Sequence, residues 1–141
     1  MRKIIEELKK KTHIKKGKSY LVSNISDEII NGPMRGWLCG HFYPQGSDLH
    51  RHDIEICVKR LNVGKSEKSH YHLCSFEFLI VLDGEVVYEI EGDDITLTPG
   101  MFYMLDPGCT EHIIEVRKMT TILAVRLPSI PNNKIYVDGK P

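Results

Sequence analysis

Two histidines and a glutamate have the residue types and spacing best suited to chemistry in this sequence. His70 and His72 stand two residues apart, and Glu77 follows five residues later. Because alternate side chains of a β-strand point to the same face, His70 and His72 are expected to project together. Glu77 converges on them if the chain turns at residues 73–76 and Glu77 opens the next antiparallel strand. Two imidazoles and a carboxylate suit zinc, iron, nickel, manganese or cobalt. His112, at the start of another strand-like run, is a candidate fourth ligand.

The spacing within residues 64–84 carries a family resemblance. Five residues separate Gly64 from His70, and a single residue separates the two histidines. Four residues then precede Glu77, and six more lead to Gly84. This spacing resembles the first signature of the cupins at every fixed position.

A second segment, residues 100–112, resembles the other cupin signature more loosely. Six residues rather than the usual five separate Gly100 from Pro107, and Cys109 stands where a glycine is expected. Pro107 and His112 keep their usual separation. The resemblance implies a small antiparallel β-barrel of the double-stranded β-helix, or jelly-roll, type. It also implies one divalent transition metal per chain (iron, manganese, zinc, nickel or cobalt), held by His70, His72, Glu77 and His112.

Length and composition limit the class of protein. The chain has 141 residues, and we expect a single cupin-like domain over residues 1–141. Lysine plus arginine equals aspartate plus glutamate, at 19 each, which argues against a nucleic-acid binder because such proteins carry a basic excess. No apolar run reaches the roughly 20 residues that span a bilayer, and residues 1–10 lack the apolar core of a signal peptide. The four widely spaced cysteines are expected to be reduced thiols of a cytoplasmic protein.

Three parts are expected along the chain. Residues 1–18 form a basic arm that begins with a short helix over residues 2–11, where Ile4, Ile5 and Leu8 recur at helical spacing. Residues 19–127 form the barrel. Residues 128–141 are rich in proline and asparagine and form a tail that wraps the surface or reaches a partner.

Short strands separated by turns predict the fold without any family name. Residues 54–63 alternate apolar and polar side chains, as a half-buried strand does. Asp83-Gly84 is a strong hairpin signal between strands 77–82 and 85–90. Further turns are predicted at residues 91–94 and at Pro99-Gly100, and further strands at residues 19–25, 35–43, 95–98, 101–105, 112–116 and 120–127. Turns that recur in this way indicate an antiparallel sandwich or barrel.

The strand predicted over residues 77–82 is apolar on both faces. If Glu77 points inward, Leu79 and Val81 line the same cavity, and the opposite face carries Phe78, Ile80 and Leu82. A strand that is apolar on both faces is buried on both. The outside of the sheet is therefore expected to be covered by the N-terminal helix or by a second subunit, and we expect a homodimer, as is common among cupins.

Other residues with chemical potential lie apart from this set. His50 and His52 form a second H-x-H pattern, but they lie in a polar loop and are predicted to be surface residues with at most an adventitious metal site. His41 is predicted to be a structural histidine, with a ligand contact inside the barrel as the alternative. Cys74 and Cys109 are candidates to approach the metal, although a buried free cysteine usually acts as a small hydrophobe. The sequence assigns no general acid or base.

The predicted metal site leads to three hypotheses of function. In the first, an enzyme uses the metal as a Lewis acid or to bind dioxygen and acts on a small oxygenated metabolite. The cupin resemblance allows isomerisation or epimerisation of a sugar-like substrate, or dioxygenase-like oxidative cleavage, since the fold hosts many chemistries. In the second, the protein captures a small ligand through the metal without catalysis, as a sensor or storage protein. In the third, the metal only stabilises the barrel. We predict the first function, and the second is the main alternative.

Overall fold

β-Strands make up the regular structure of the described part of the chain. The computed structural model describes residues 15–16, 20–25, 30 and 34–137. The short helix predicted over residues 2–11 lies outside these residues. The strands are β1 (Lys15–Lys16), β2 (Leu21–Val22), β3 (Trp37–Cys39), β4 (Glu55–Leu61), β5 (His70–His72), β6 (Phe76–Ile90), β7 (Asp93–Leu97), β8 (Phe102–Leu105), β9 (Glu111–Leu127) and β10 (Lys134–Tyr136). The predicted all-β class is confirmed for the described residues.

Strands β6 and β9 form the centre of the main sheet. They run antiparallel along nearly their whole length, from the Phe76–Leu127 pair to the Ile90–Glu111 pair. The other edge of β6 pairs with β8 and then with β7, and the other edge of β9 pairs with β4 and with β5. β10 extends the sheet beyond β5, and β3 extends it beyond β4. Strands β3 to β10 therefore form one curled antiparallel sheet, while β1 and β2 pair separately.

The hairpin predicted at Asp83-Gly84 is wrong. β6 continues through both residues and bends there, with register shifts against β9. Gly84 has a φ of +94°, and a Cβ at this position would lie 2.4 Å from the carbonyl oxygen of Met119. Glycine therefore allows β6 to bend against its neighbour without reversing the chain. The strands predicted at residues 112–116 and 120–127 likewise form the single strand β9.

The turn predicted at residues 91–94 is confirmed. Glu91 and Gly92 join β6 to β7 with φ values of +50° and +88°, as a two-residue hairpin of type I′ requires. Part of the predicted C-terminal tail also enters the sheet, because Lys134–Tyr136 forms β10 antiparallel to β5. The tail thereby reaches the strand that carries the two histidines.

The inward faces of β6 and β9 supply most of the core. Glu77, Leu79 and Val81 are buried on one face of β6, as their alternation predicted. The cluster continues through Val86, Tyr88, Ile113, Val116 and Ile122. On the outer face, Leu82, Phe102 and Met104 are exposed. Within the described ranges, no helix is long and apolar enough to cross a membrane.

Candidate metal centre

His70 and His72 lie on β5, between β9 and β10. Their alternate positions point both rings into the barrel, where the exposed fractions are 1% and 5%. The ring centroids are 5.5 Å apart. The two imidazoles therefore project together, as their spacing predicted.

Glu111 is the third member of the cluster, and it was not among the predicted ligands. Its backbone pairs with that of His70, and its side chain is buried. Its Oε1 atom lies 2.7 Å from Nε2 of His70. The candidate ligand atoms of His70, His72 and Glu111 all lie within 4.8 Å of one another. Among the described residues, only this cluster brings together three side chains of ligand type so closely.

A β-bulge in β9 determines which side chain enters the cluster. Successive residues of β6 pair with Glu115 and with Ile113, so β9 carries one extra residue at this point. Ile113 and Val116 are both buried, although regular alternation would put them on opposite faces. The extra residue of the bulge allows both side chains to point inward. In the part of β9 before the bulge, the inward and outward positions are therefore exchanged. As a result Glu111 points inward and His112 points away from the interior.

The structure does not bring His112 to this cluster. Its Nδ1 atom lies on the other face of β9, 4.0 Å from a carboxylate oxygen of Glu89. A side chain on that face cannot reach an ion placed between His70 and His72, because the strand backbone stands between them.

The second cupin-like segment contained a signal for Glu111. With the usual five residues after Gly100, the proline position falls on Asp106 and the glycine position falls on Gly108. The ligand position, three residues after that glycine, is then Glu111. This spacing restores the glycine and the usual five residues, but it puts Asp106 in the place of the proline and Glu111 in the place of the histidine.

The hydrogen bonds of His70 fix its tautomer. Its Nδ1 donates to the backbone carbonyl of Lys68 at 2.9 Å, so in the neutral ring Nε2 carries the lone pair. That lone pair faces the Glu111 carboxylate, and two acceptors need a proton or a cation between them. Burial lowers the pKa of His70, but the Glu111 carboxylate more than offsets this effect, and the pKa is raised above its ordinary value. Without a metal, a proton lies between Nε2 of His70 and the Glu111 carboxylate.

Two further atoms of the cluster are buried without a hydrogen-bond partner in the described part of the chain. They are Nε2 of His72 and Oε2 of Glu111. Buried polar atoms are nearly always paired, so two orphans in one cluster call for a missing partner. Zinc and similar ions bind imidazole and carboxylate at about 2.0–2.2 Å, which places ligand atoms roughly 3–4.5 Å from one another. The cluster is therefore compatible with a metal site.

Glu77 lies beside the cluster, but other residues already bind its carboxylate. Tyr103 donates its hydroxyl to Oε1 at 2.6 Å, and the Arg126 guanidinium donates to Oε2. Nε2 of His72 lies 3.3 Å from the same Oε2, in ion-pair range. Burial raises the pKa of Glu77, yet the neighbouring His72 ring and the Arg126 charge outweigh it and hold the pKa well below its usual range. Glu77 is thus an ionised anchor for Arg126 and His72, and its role as a metal ligand stays a prediction.

Arg126 stands in the middle of a row that crosses three strands. It pairs in register with Glu55 on β4 and with Glu77 on β6, and its guanidinium contacts both carboxylates. Ser129 donates to Glu55 at 2.9 Å, and Nδ1 of His41 lies 2.8 Å from the Ser129 hydroxyl. His41 is therefore hydrogen-bonded within this network, and it also lines the outer cavity, so both of its predicted roles stay open.

The second H-x-H pattern lies in the loop before β4, as predicted. Nε2 of His50 is 3.0 Å from Nε2 of His52, and Nδ1 of His50 donates to the Tyr43 carbonyl at 2.5 Å. His52 is exposed, so this pair belongs to the surface. Cys74 is also exposed, and it does not follow the two histidines into the barrel.

Two cavities flank the candidate metal centre. The inner cavity, of about 50 Å³, is lined by His70 and Glu111, and the outer one, of about 210 Å³, is lined by His72. Arg126 and Lys134 line both cavities. The outer cavity therefore borders the cluster on the side of His72.

Comparison with known proteins identifies the family. The model of the cupin domain family matches residues 57–125, which contain both histidines and Glu111. The chain belongs to the cupin superfamily. No curated protein matches the sequence of this cupin.

Solved structures show the same fold as this cupin. KdgF from Halomonas sp. is 17% identical over 59% of this chain and 76% of that chain, with a TM-score of 0.54. An uncharacterized conserved protein with a double-stranded β-helix domain from Klebsiella pneumoniae is 20% identical over 62% of this chain and 77% of that chain, with a TM-score of 0.55. An RmlC-like cupin family protein from Methanocaldococcus jannaschii is 19% identical over 55% of this chain and 72% of that chain, with a TM-score of 0.50. These likenesses confirm the double-stranded β-helix fold.

Proposed function

We propose that this cupin is a metal-dependent enzyme that acts on a small oxygenated metabolite. One divalent transition metal is held by His70, His72 and Glu111. The observation that carries the proposal is the convergence of two buried, unpartnered ligand atoms with Nε2 of His70. When bound, the metal supplies a Lewis acid or a centre for dioxygen chemistry.

The ligand set supports an enzyme site over a structural one. Structural zinc sites use four protein ligands, whereas catalytic sites leave a position open. The carboxylate of Glu77 is already bound by Tyr103 and Arg126, which leaves three protein ligands and open positions beside the two cavities. Two histidines with one carboxylate and open positions are typical of non-haem iron(II) oxygenases. We therefore favour iron and dioxygenase-like chemistry over sugar isomerisation or epimerisation.

Side chains around the cluster hold its ligands in place. The Lys68 carbonyl orients His70 through Nδ1, so that Nε2 faces the ion. The row of Glu55, Arg126 and Glu77 keeps a buried carboxylate against His72. Burial of the cluster excludes bulk water from the ligand atoms, which strengthens every charge interaction there.

Elemental analysis of the untagged protein, purified without a chelating column, is the first test. We expect about one transition metal ion per chain in the wild type and its loss in His70→Ala and Glu111→Gln. His112→Ala is the matched control, since this residue neighbours Glu111 in sequence and faces the other side of β9. Metal that persists in Glu111→Gln but is lost in His112→Ala would refute the assigned ligand set. No metal in the wild type, even after reconstitution with each ion, would refute the metal-dependent function.

A second measurement separates an open site from a closed one. The protein is loaded with iron(II) without oxygen, and nitric oxide is added as a probe of free coordination positions. A high-spin EPR signal that appears with nitric oxide in the wild type and is absent in His70→Ala is the expected result. Bound iron that gives no such signal would indicate a closed site and favour a structural role of the metal.

We also propose that the outer face of the sheet binds a second copy of this chain. Phe102 and Met104 on β8 are exposed, and they pair in register with the half-buried Ile80 and Phe78 of β6. Sedimentation velocity should show a dimer in the wild type and a monomer in Phe102→Glu/Met104→Glu. A monomeric wild type at tens of micromolar would refute this interface.

A further inference from the structure

The two cavities carry several charged groups, and Arg126 is the one whose charge is fully matched. Its guanidinium contacts the carboxylates of both Glu55 and Glu77. Both carboxylates are buried, and all three groups lie in one cross-strand row. Arg126 is therefore occupied and has little capacity left for a ligand.

The charge of Lys59 is less well paired than that of Arg126. Its side chain points inward from β4 and lines the inner cavity. Its ammonium lies 5.1 Å from the ring centroid of Trp37, and within residues 34–137 it forms no direct ion pair or hydrogen bond with a side chain. Burial lowers the pKa of Lys59, and the charge of Glu67, which lines the same cavity, acts in the opposite direction. A partly buried ammonium without a direct partner is costly, and a ligand carboxylate would supply that contact.

Lys134 lines both cavities. It pairs in register with His72 across β10 and β5. Its ammonium lies 5.3 Å from the ring centroid of Tyr136, and within residues 34–137 it has no carboxylate partner. A small molecule in either cavity can therefore come close to this ammonium.

The formal charges of the lining groups favour an anion. Three cations, Lys59, Arg126 and Lys134, face four carboxylates, those of Glu55, Glu67, Glu77 and Glu111. With neutral histidines, the lining groups carry a net charge of −1. A bound divalent ion changes this net charge to +1. A single carboxylate of a ligand would bring the site to neutrality. A carboxylate oxygen is also a good ligand for the open metal positions.

From these observations we infer that the site binds a small carboxylate, whose charge is recognised by Lys59 and Lys134 beside the metal. The inference rests on the proposed function, because the metal supplies both the net positive charge and a ligand position. A phosphate ester fits less well, since it brings two negative charges and the only arginine of the cavities is already bound by two carboxylates. An inner cavity of about 50 Å³ also restricts the buried part of the ligand to a few atoms.

Malonate and its neutral diamide, malonamide, are matched probes of this recognition, because they share size and shape and differ in charge. Trp37 is the only tryptophan of the chain and lines the outer cavity, so its fluorescence reports on binding. Calorimetry on the zinc-loaded protein gives the dissociation constants. We expect malonate to bind at least tenfold more tightly than malonamide. Lys134→Gln and Lys59→Met should each weaken malonate at least tenfold, while Lys118→Met, an exposed lysine on β9, should leave it unchanged.

The outcomes separate this inference from the proposed function. Three results would each overturn the carboxylate assignment. Malonate and malonamide bind equally well, malonate does not bind at millimolar concentration, or both lysine variants keep the wild-type affinity. Lys134 is exposed, so its replacement keeps the test valid if Lys59→Met does not fold. Zinc content is measured on every sample. One zinc per chain without charge selectivity would refute only this inference, whereas absence of zinc from the reconstituted wild type would refute the metal-dependent function.

Discussion

Replacement of Arg126 by methionine tests the electrostatic support of the site most directly. Arg126→Met keeps much of the apolar stem and removes the guanidinium that joins Glu55 to Glu77. Both carboxylates are buried, with exposed fractions of 5% and 2%. The substitution therefore leaves two negative charges in the barrel without their shared cation.

The expected loss of stability follows from this geometry. Removal of one partner from a buried ion pair costs about 3–5 kcal/mol, because the remaining charge stays buried and uncompensated. In a domain of this size, each kcal/mol lowers Tm by roughly 3–5 °C. We therefore expect Arg126→Met to lower Tm by roughly 10–20 °C at pH 7. Arg117→Met is the matched control, since Arg117 is an exposed arginine of the same strand and its ion pairs contribute about 1 kcal/mol or less.

The stability of this variant should depend on pH differently from that of the wild type. In the wild type, the lowered pKa of Glu77 contributes stability above the unfolded-state pKa of about 4.3, and this contribution is lost as the pH falls through the lower folded value. Without Arg126, burial is opposed only by His72 and Tyr103, so the pKa of Glu77 rises relative to the wild type and the folded variant binds protons more readily. The Tm difference between wild type and variant should therefore narrow from pH 7 to pH 5.

Thermal unfolding followed by circular dichroism, with and without metal, provides the assay. The double variant Arg126→Met/Glu55→Gln removes one of the two unpaired carboxylates and should recover part of the lost stability. A Tm drop of less than about 3 °C in Arg126→Met, with no dependence on pH, would show that the row is solvated in solution and would refute the reasoning.

Three other predictions concern the metal, the loop histidines and the bent strand. Glu111 raises the pKa of His70, so the ion pair of protonated His70 with Glu111 stabilises the metal-free protein at low pH and is lost as the pH rises through that pKa. The gain in Tm on zinc binding should therefore increase from pH 6 to pH 8 in thermal shift assays. His50→Ala/His52→Ala should leave the metal content of the purified protein unchanged, and metal loss in elemental analysis would identify the other H-x-H pair as the site. Gly84→Ala should lower the free energy of unfolding by about 1–3 kcal/mol in urea titrations, since its positive φ and the nearby Met119 carbonyl strain a side chain; unchanged stability would show that β6 can straighten.

The local part of the site could be predicted from the sequence. The two histidines of β5 face inward because alternation is a property of two adjacent residues and needs no partner. The apolar face of Leu79 and Val81 followed for the same reason. Glu77 was correctly placed inside the barrel, but its engagement with Arg126 depends on a residue 49 positions away and on the pairing of β6 with β9.

Features that depend on strand pairing were harder to predict. Asp83-Gly84 carries a strong turn signal, yet β9 pairs with residues on both sides of it and keeps β6 extended. Glu111 was missed because a bulge interrupts the alternation of β9, and a bulge leaves little trace in local hydrophobic pattern. β10 has only three residues and exists through its pairing with β5, so residues 128–137 resemble a tail in sequence.

The bulge in β9 has an evolutionary consequence for the metal. It places two residues able to bind metal, Glu111 and His112, side by side, with one inside the barrel and one outside. If the extra residue moved from the strand into the preceding turn at residues 106–110, the first residues of β9 would turn over. An imidazole would then replace a carboxylate at the third ligand position without any substitution, and sets of three histidines serve zinc in other enzymes. In descendants of such a chain, the length of one loop can change the preferred ion, and with it the class of reaction, before any ligand mutates.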